Sequence, residues 1–379
     1  FAKMYAEIDL PMRQYMQVMM KRMRFWTRIL WYAGIFWLLC GLFTKGDVVR
    51  TVFRDTLTEC FIAVLPVLFP YMVLSRLIVS LDLFSPLVRI LRLDTRLSLP
   101  GPFPVVWLLG NLCGYPVGAA ECAALVRRGN LDAKKAGILC ALASHGNPVY
   151  IVQVAGVLCW NSALFGWLLF AAQLLFTAAL TIFVWIRWRK GASPLTADNG
   201  SLTHSECTGV LSALSTALGD SAAACVSICG TVIFYSLLIA LLPVMPIWSS
   251  AMLSAILEFT SGVSRGAAYG GINGALITGF ALGFGGLSVL TQIADRLRVT
   301  GISMRYTVLC KLCDGVWMAF AAAILWIILP HGAETTLVET AARPFPVWLP
   351  FIGWAIFTPG LIIWVLALWK KKEICTPQR

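Results

Sequence analysis

Residues 110–118 read GNLCGYPVG, and the reading of this stretch decides the fold. Three glycines, a proline and an asparagine within nine positions make a poor membrane span. Its flanks are apolar enough for membrane depth, with PFPVVWLL before it and AAECAAL after it. Non-helical backbone at that depth stands only where protein or a water-filled cavity covers it. From Pro102 to Leu125 the apolar segment is about 24 residues long and is interrupted in its middle. Two half-helices of about 10–12 residues fit, since each reaches only half a bilayer. The stretch therefore predicts a re-entrant hairpin lining a path.

Composition sets the class around it. The 379 residues are 59% hydrophobic and 13% charged, with a mean hydropathy of +0.80. A soluble domain carries roughly a quarter charged residues. A β-barrel would show short alternating segments. The chain reads as an all-α polytopic membrane protein. The net charge of +12 is no nucleic-acid footprint, because lysines and arginines sit at the ends of apolar runs, as the positive-inside rule places them. The twelve cysteines are scattered. Cys310 and Cys313 form a lone C-x-x-C with no second pair, so neither a metal site nor a disulfide framework is expected. No G-x-S-x-G, H-E-x-x-H or nucleotide fingerprint occurs, and Ser144-His145 adjacency is not a triad. No enzyme is expected.

In chain order, residues 1–55 hold a basic, Met-rich amphipathic segment on the cytoplasmic surface and a first span from Trp26 to Phe43. A first repeat covers 56–190. It holds a span from Leu57 to Leu81 with Pro66 and Pro70, an arginine-bearing interface segment from Asp82 to Gly101, and hairpin one at about 102–126. A span from Ala136 to Trp160, broken at Ser144–Pro148, and one from Ser162 to Trp185 complete it. Residues 191–208 form a polar cytoplasmic loop. A second repeat covers 209–330, with a span from Ala222 to Leu242, hairpin two at about 268–295 and a span from Tyr306 to Leu329. Residues 331–379 add a last span, Val347 to Leu368, and a basic tail.

The repeat rests on an offset of 172 residues that sets Gly129 on Gly301, Gly114 on Gly286 and Val117 on Val289. Paired Gly/Pro-interrupted segments in two halves point to a transporter binding site. A strict inverted repeat would leave Lys370–Lys372 outside, where the positive-inside rule wants them inside. Either the Met252–Gly262 segment spans, or the C-terminus breaks the rule. The expected total is about 7–9 transmembrane helices plus two hairpins in two inverted repeats.

At GYPVGA (Gly114–Ala119), Asn147-Pro148, LEFTSG (Leu257–Gly262) and GFGGLSVLTQ (Gly283–Gln292) the chain resembles the sporulation integral membrane proteins of the YlbJ type, within the nucleoside-recognition or Gate group. The resemblance runs from about Phe53 to Leu329. It implies a plan similar to concentrative nucleoside transporters, with opposed hairpins around a central site. It also implies a role in moving dipicolinic acid from mother cell toward forespore, in the mother-cell or outer forespore membrane. That group commonly reads GYPVGAK; here Ala120 replaces the lysine and Glu121 follows.

Asn111, Gly114, Tyr115, Pro116 and Gly118 at the first hairpin are candidate substrate-binding residues, with Asn147 at the break. Gly286, Ser288, Thr291 and Gln292 are their candidates in the second half. Half-helix N-termini there offer N–H groups to a carboxylate. Glu258 is the strongest candidate for coupling, because an ionisable group at depth normally faces a partner or water. Glu121, Ser144, His145, Thr260, Ser261 and Asp314 complete a polar network, with His145 able to titrate and Asp314 able to pair with an arginine such as Arg76. The expected function is transport of a small polar organic solute, dipicolinate first. The alternatives are a Na+- or H+-coupled nucleoside or nucleobase transporter, and a non-transporting spore-envelope assembly or sensing protein. No cofactor is expected beyond a coupling Na+ or H+. The expected partners are the solute, the bilayer and a second copy of the chain.

Overall fold

The computed structural model describes residues 28–29, 32–81, 103–190, 210–243 and 245–329, and every regular element among them is a helix. The expected N-terminal amphipathic segment, the interface segment Asp82–Gly101, the loop 191–208 and the last span with its tail lie outside the described residues.

Helix α1 (Tyr32–Thr44) turns through 94° at Lys45 into α2 (Gly46–Glu59). A π turn, Cys60–Val64, joins α2 to α3 (Leu65–Ser80) without a break. Pro66 removes one N–H and crowds the carbonyl of Ile62. The wider π turn accommodates that loss, so the prolines do not end the helix. Then come α4 (Phe103–Cys113), α5 (Val117–Arg127), α6 (Ala133–Leu142), α7 (Tyr150–Cys159, a π-helix) and α8 (Ala163–Lys190). The second half holds α9 (Val210–Leu241), α10 (Ile247–Leu257), α11 (Phe259–Tyr269), α12 (Gly271–Phe284), α13 (Gly286–Leu297) and α14 (Arg305–Ile328).

Four stretches are long and apolar enough to cross a membrane: Ala163–Arg187, Val210–Leu241, Gly271–Leu297 and Arg305–Ile328. The bent α1–α2 pair makes a fifth if it is one span. Trp167, Leu175 and Ile182 are each more than half exposed on α8. Their spacing of seven to eight residues keeps them on one helix face, the face such a span turns to lipid.

α4 and α5 fold back on each other. A Cβ on Gly110 would lie 2.0 Å from the carbonyl oxygen of Ala143, and one on Gly118 would lie 1.9 Å from the same atom. In a straight helix those two positions would stand about 12 Å apart. The chain therefore reverses at Gly114–Pro116, and its two arms clamp the end of α6. The Tyr115–Pro116 peptide is cis.

The second half departs from expectation. The glycine-rich run expected to fold as a hairpin at about 268–295 is one 27-residue length, Gly271–Leu297, interrupted at Gly285. Its glycines serve helix packing. Cβ atoms on Gly279 and Gly283 would lie 2.2 and 2.3 Å from the carbonyl oxygens of Met318 and Asp314 on α14. Small residues let two backbones approach this closely. The fold-back pair lies upstream instead, in α10 and α11, where a Cβ on Gly262 would stand 2.4 Å from Ala255 Cα. Met252–Gly262 therefore does not span. α12 and α14 form the centre of the main core, with α6 and α8 against α14, while α9 packs along α2 and α3.

Candidate functional site

Two interrupted lengths of helix meet near the centre. Between α6 and α7 the chain leaves helical geometry over residues 143–147. Each freed backbone group needs a partner, since none can come from lipid. Asn111 Nδ2 donates to Leu142 O at 3.1 Å, and the backbone N–H of Tyr115 donates to His145 O at 3.0 Å. Gln173 on α8 serves both groups of Gly146: its Oε1 accepts from Gly146 N at 3.3 Å and its Nε2 donates to Gly146 O at 3.1 Å. Asn147 Oδ1 caps the next helix, accepting from Val149 N at 2.7 Å and Tyr150 N at 3.3 Å. Gln173→Leu leaves the Gly146 N–H and C=O buried without partners. A loss of about 2–4 kcal/mol is expected, read as a lower unfolding temperature of the detergent-solubilised protein.

Between α12 and α13 the break is Gly285–Gly286, both in the left-handed region (φ +80° and +72°). Only glycine adopts these angles without strain. The break abuts the α10–α11 turn, since a Cβ on Gly286 would lie 3.1 Å from Glu258 Cα and N. Glu258 is fully buried and caps α11. Its Oε1 accepts from Thr260 N at 3.0 Å, and its Oε2 from Ser261 N at 2.7 Å and Thr260 Oγ1 at 2.5 Å. The first half repeats this relation, for the α4–α5 turn abuts the other break. A Cβ on Gly114 would lie 2.9 Å from Asn147 N.

A buried charged cluster joins the two halves. His145 Nδ1 and Asp314 Oδ2 are 2.9 Å apart, and Thr177 Oγ1 lies 2.8 Å from His145 Nε2. Lys311 Nζ donates to Gly283 O at 3.0 Å, lies 3.8 Å from Asp314 Oδ2, and sits 5.2 Å from the centre of the Tyr115 ring. Gly283 O is among the last carbonyls of α12, where the helix dipole favours a cation. His145, Lys311 and Asp314 are all fully buried.

A cavity opens where both turns and both breaks converge. Tyr115, Asn147, Tyr150, Glu258, Phe259 and Gln292 line it, with Leu68 and Met72 from α3 and Ile228 and Val232 from α9 as an apolar wall. The space open to a water centre is about 30 Å³, room for about two waters. Two wider chambers, of about 150 and 200 Å³, lead outward. The inner one shares Ile228 and Gln292 with the cavity, and both chambers share Pro116 and Arg296. The outer chamber holds Ala120, Glu121 and the Arg76–Asp220 ion pair at 2.9 Å.

The sequence has a named relative. The chain is similar to the sporulation integral membrane protein YlbJ of Bacillus subtilis (strain 168). The two are 25% identical over 303 residues, a match covering 69% of this chain and 74% of the relative. No family model matches the chain, and no solved structure does. With its apolar helices, the similarity makes the chain a multi-pass integral membrane protein.

Of the residues singled out from sequence, Tyr115, Asn147, Glu258 and Gln292 meet at the cavity. Gly114, Pro116 and Gly286 shape the turns beside it. Others stand apart. Asn111 holds the break, and Gly118 packs on Ala143. Ser144 Oγ lies 3.6 Å from Cys140 Sγ. Ser261 Oγ lies 3.3 Å from Ser236 Oγ, while Thr260 serves Glu258. Ser288 Oγ is buried without a hydrogen-bond partner among the described residues. Thr291 Oγ1 donates back to Leu287 O and Ser288 O and lines only the inner chamber. Glu121 lines the outer chamber. Asp314 pairs with His145 and Lys311 rather than an arginine; Arg76 pairs with Asp220. Lys311, Gln173 and Thr177 were not singled out from sequence. For Lys311 the signal was available, since an ionisable residue within an apolar span is a functional candidate by default.

Proposed function

We propose that the chain is a carrier for a small polar organic solute, which binds between the α4–α5 turn and the α10–α11 turn. The observation that carries this reading is the cavity at which both turns and both helix breaks meet. Ligand pockets for organic molecules run to about 300 Å³ or more, so a cavity of about 30 Å³ is a closed state. Loading then requires the turns to part from α3 and α9, and the two chambers mark the side on which they would open.

The carrier is built as two inverted repeats with re-entrant hairpins at α4–α5 and α10–α11. The repeat offset is about 141 residues rather than 172. It sets Gly129 on Gly270, both left-handed (φ +75° and +73°). It also sets the interrupted α6–α7 on the interrupted α12–α13, and α8 on α14. The span count is then about seven to nine once the residues outside the described ones are added. The chain has no catalytic role in this reading.

Dipicolinate, the solute implied by the resemblance, is the first candidate, and the Lys311 ammonium behind Tyr115 favours an anion. A nucleoside is the second, because Glu258 and Gln292 offer hydrogen-bonding groups and Tyr115 and Phe259 aromatic faces. Purified protein in liposomes should accumulate or exchange labelled dipicolinate or a nucleoside. Tyr115→Ala is expected to lower uptake at least about tenfold, since ring stacking and burial of an aromatic solute are each worth on the order of 1 kcal/mol or more. Folded protein that moves none of these solutes would show that the carrier reading is wrong.

A further inference from the structure

The Asp314 carboxylate is fully buried, and only one of its oxygens is engaged. Oδ2 faces His145 Nδ1 at 2.9 Å and Lys311 Nζ at 3.8 Å, while Oδ1 has no hydrogen-bond partner among the described residues. A buried acceptor without a donor is costly in a medium of low dielectric. A proton on Oδ1 neutralises the carboxylate and so lowers the cost of burying it. The arrangement about His145 fits this. With Nδ1–H donating to Asp314, Nε2 is left to accept from the Thr177 hydroxyl at 2.8 Å, which is the neutral imidazole. The cluster then holds one ammonium, one carboxylate and one neutral imidazole, and its net charge is zero.

We propose that the Asp314–His145–Lys311 cluster is the proton-binding site of the carrier, with Asp314 Oδ1 as the atom that takes the proton. This rests on the carrier reading and adds its coupling ion. One O–H bond forms on Oδ1, the proton comes from water, and the cluster goes from zero to one positive charge. Tyr115 is the wall between this charge and the solute, since its ring lines the cavity and stands 5.2 Å from Lys311 Nζ. An anionic solute therefore loads beside a core that has just become positive. Proton and anion travel together, which lowers the negative charge carried with each solute by one. This also supplies the positive charge that Ala120, in place of a lysine, does not.

The titratable groups facing the cluster come from the α4–α5 turn, α6 and α14. They are Tyr115 from the α4–α5 turn, Cys140 from α6, and Cys310 and Cys313 on α14 itself. Glu258 reaches the cluster through Tyr115. α8 contributes only the uncharged Thr177 and Gln173, and α12 only the carbonyl of Gly283. Asp314 is the member of this set that both touches the two other charged groups and keeps an open acceptor.

The experiment follows protons and solute together. Dipicolinate is added to detergent-solubilised protein in weak buffer with a pH-indicator dye, and accumulation is measured in liposomes under an imposed pH gradient. The wild type should take up about one proton per solute bound and accumulate solute when the outside is acidic. Asp314→Asn should take up none and let solute only equilibrate. Should that variant fail to fold, Thr177→Val tests the same network, because loss of its hydroxyl leaves Nε2 without its donor and should shift the pH midpoint of proton uptake by about half a unit or more. Proton uptake that survives Asp314→Asn, a midpoint unmoved by Thr177→Val, or wild-type accumulation driven by sodium alone overturns the proposal and leaves the carrier reading standing. A wild type that moves no solute overturns both.

Discussion

Asp314→Ala is expected to cost the folded protein about 3–5 kcal/mol, the range for breaking a buried pair by removing one partner. The loss is large because the substitution strands Lys311, whose ammonium is fully buried and retains only Gly283 O as a hydrogen-bond acceptor. It also removes the acceptor of His145 Nδ1. Lys311→Met alone should cost less, since the remaining carboxylate still receives the His145 N–H. The double variant Lys311→Met, Asp314→Leu should be more stable than Asp314→Ala, because no unpaired charge remains in the core. Thermal unfolding of the three proteins in one detergent checks the order. An Asp314→Ala protein as stable as the wild type would mean that the pair is hydrated and the burial argument fails.

Gly118→Ala is expected to be the most damaging added methyl among the described glycines, at about 3 kcal/mol, the upper end of the overpacking range. The added Cβ would sit 1.9 Å from Ala143 O. That oxygen cannot retreat, because Gly110 packs on it from the other arm, where an added Cβ would lie 2.0 Å away. The α4–α5 pair would have to open, and opening it pulls the Tyr115 N–H from His145 O and the turn from Asn147. Loss of solute uptake should therefore accompany loss of stability. Gly230→Ala on α9 is the control: nothing lies within 4 Å of its added Cβ. The same methyl should there be neutral or stabilising by up to about 1 kcal/mol through helix propensity. Equal melting of both variants would dismiss the clamp.

Much of the chain was legible because apolar length is a local property. Spans expected at Ser162–Trp185 and Tyr306–Leu329 lie within two or three residues of the helices observed. The break at Ser144–Pro148 was visible because proline and glycine cannot continue a helix whatever surrounds them. A hairpin was expected at about 268–295, where one length of helix stands, because glycine carries two meanings. In Gly114 it makes a turn, with φ +75°. In Gly279 and Gly283 it makes room for α14 inside a helix. Sequence shows the missing side chain in both cases and not the neighbour that requires it. Glu258 stood out as an ionisable group in apolar surroundings, yet its three hydrogen bonds to Thr260 and Ser261 depend on a turn that α10 and α11 make only by packing on each other.

By itself the sequence determined that this is a helical membrane protein, where its main helices run, and that GNLCGYPVG interrupts one of them. Those follow from hydrophobic length and from residues that break a helix locally. Only the tertiary structure decided which segments fold back, and which interrupted length faces which turn. It alone brought Lys311 and Asp314 of α14 to His145 of the first half, residues more than 160 positions apart. The physical reason is that a buried charge is tolerable only with its partner beside it, and the partner's place is set by helix packing, which no local stretch of sequence encodes.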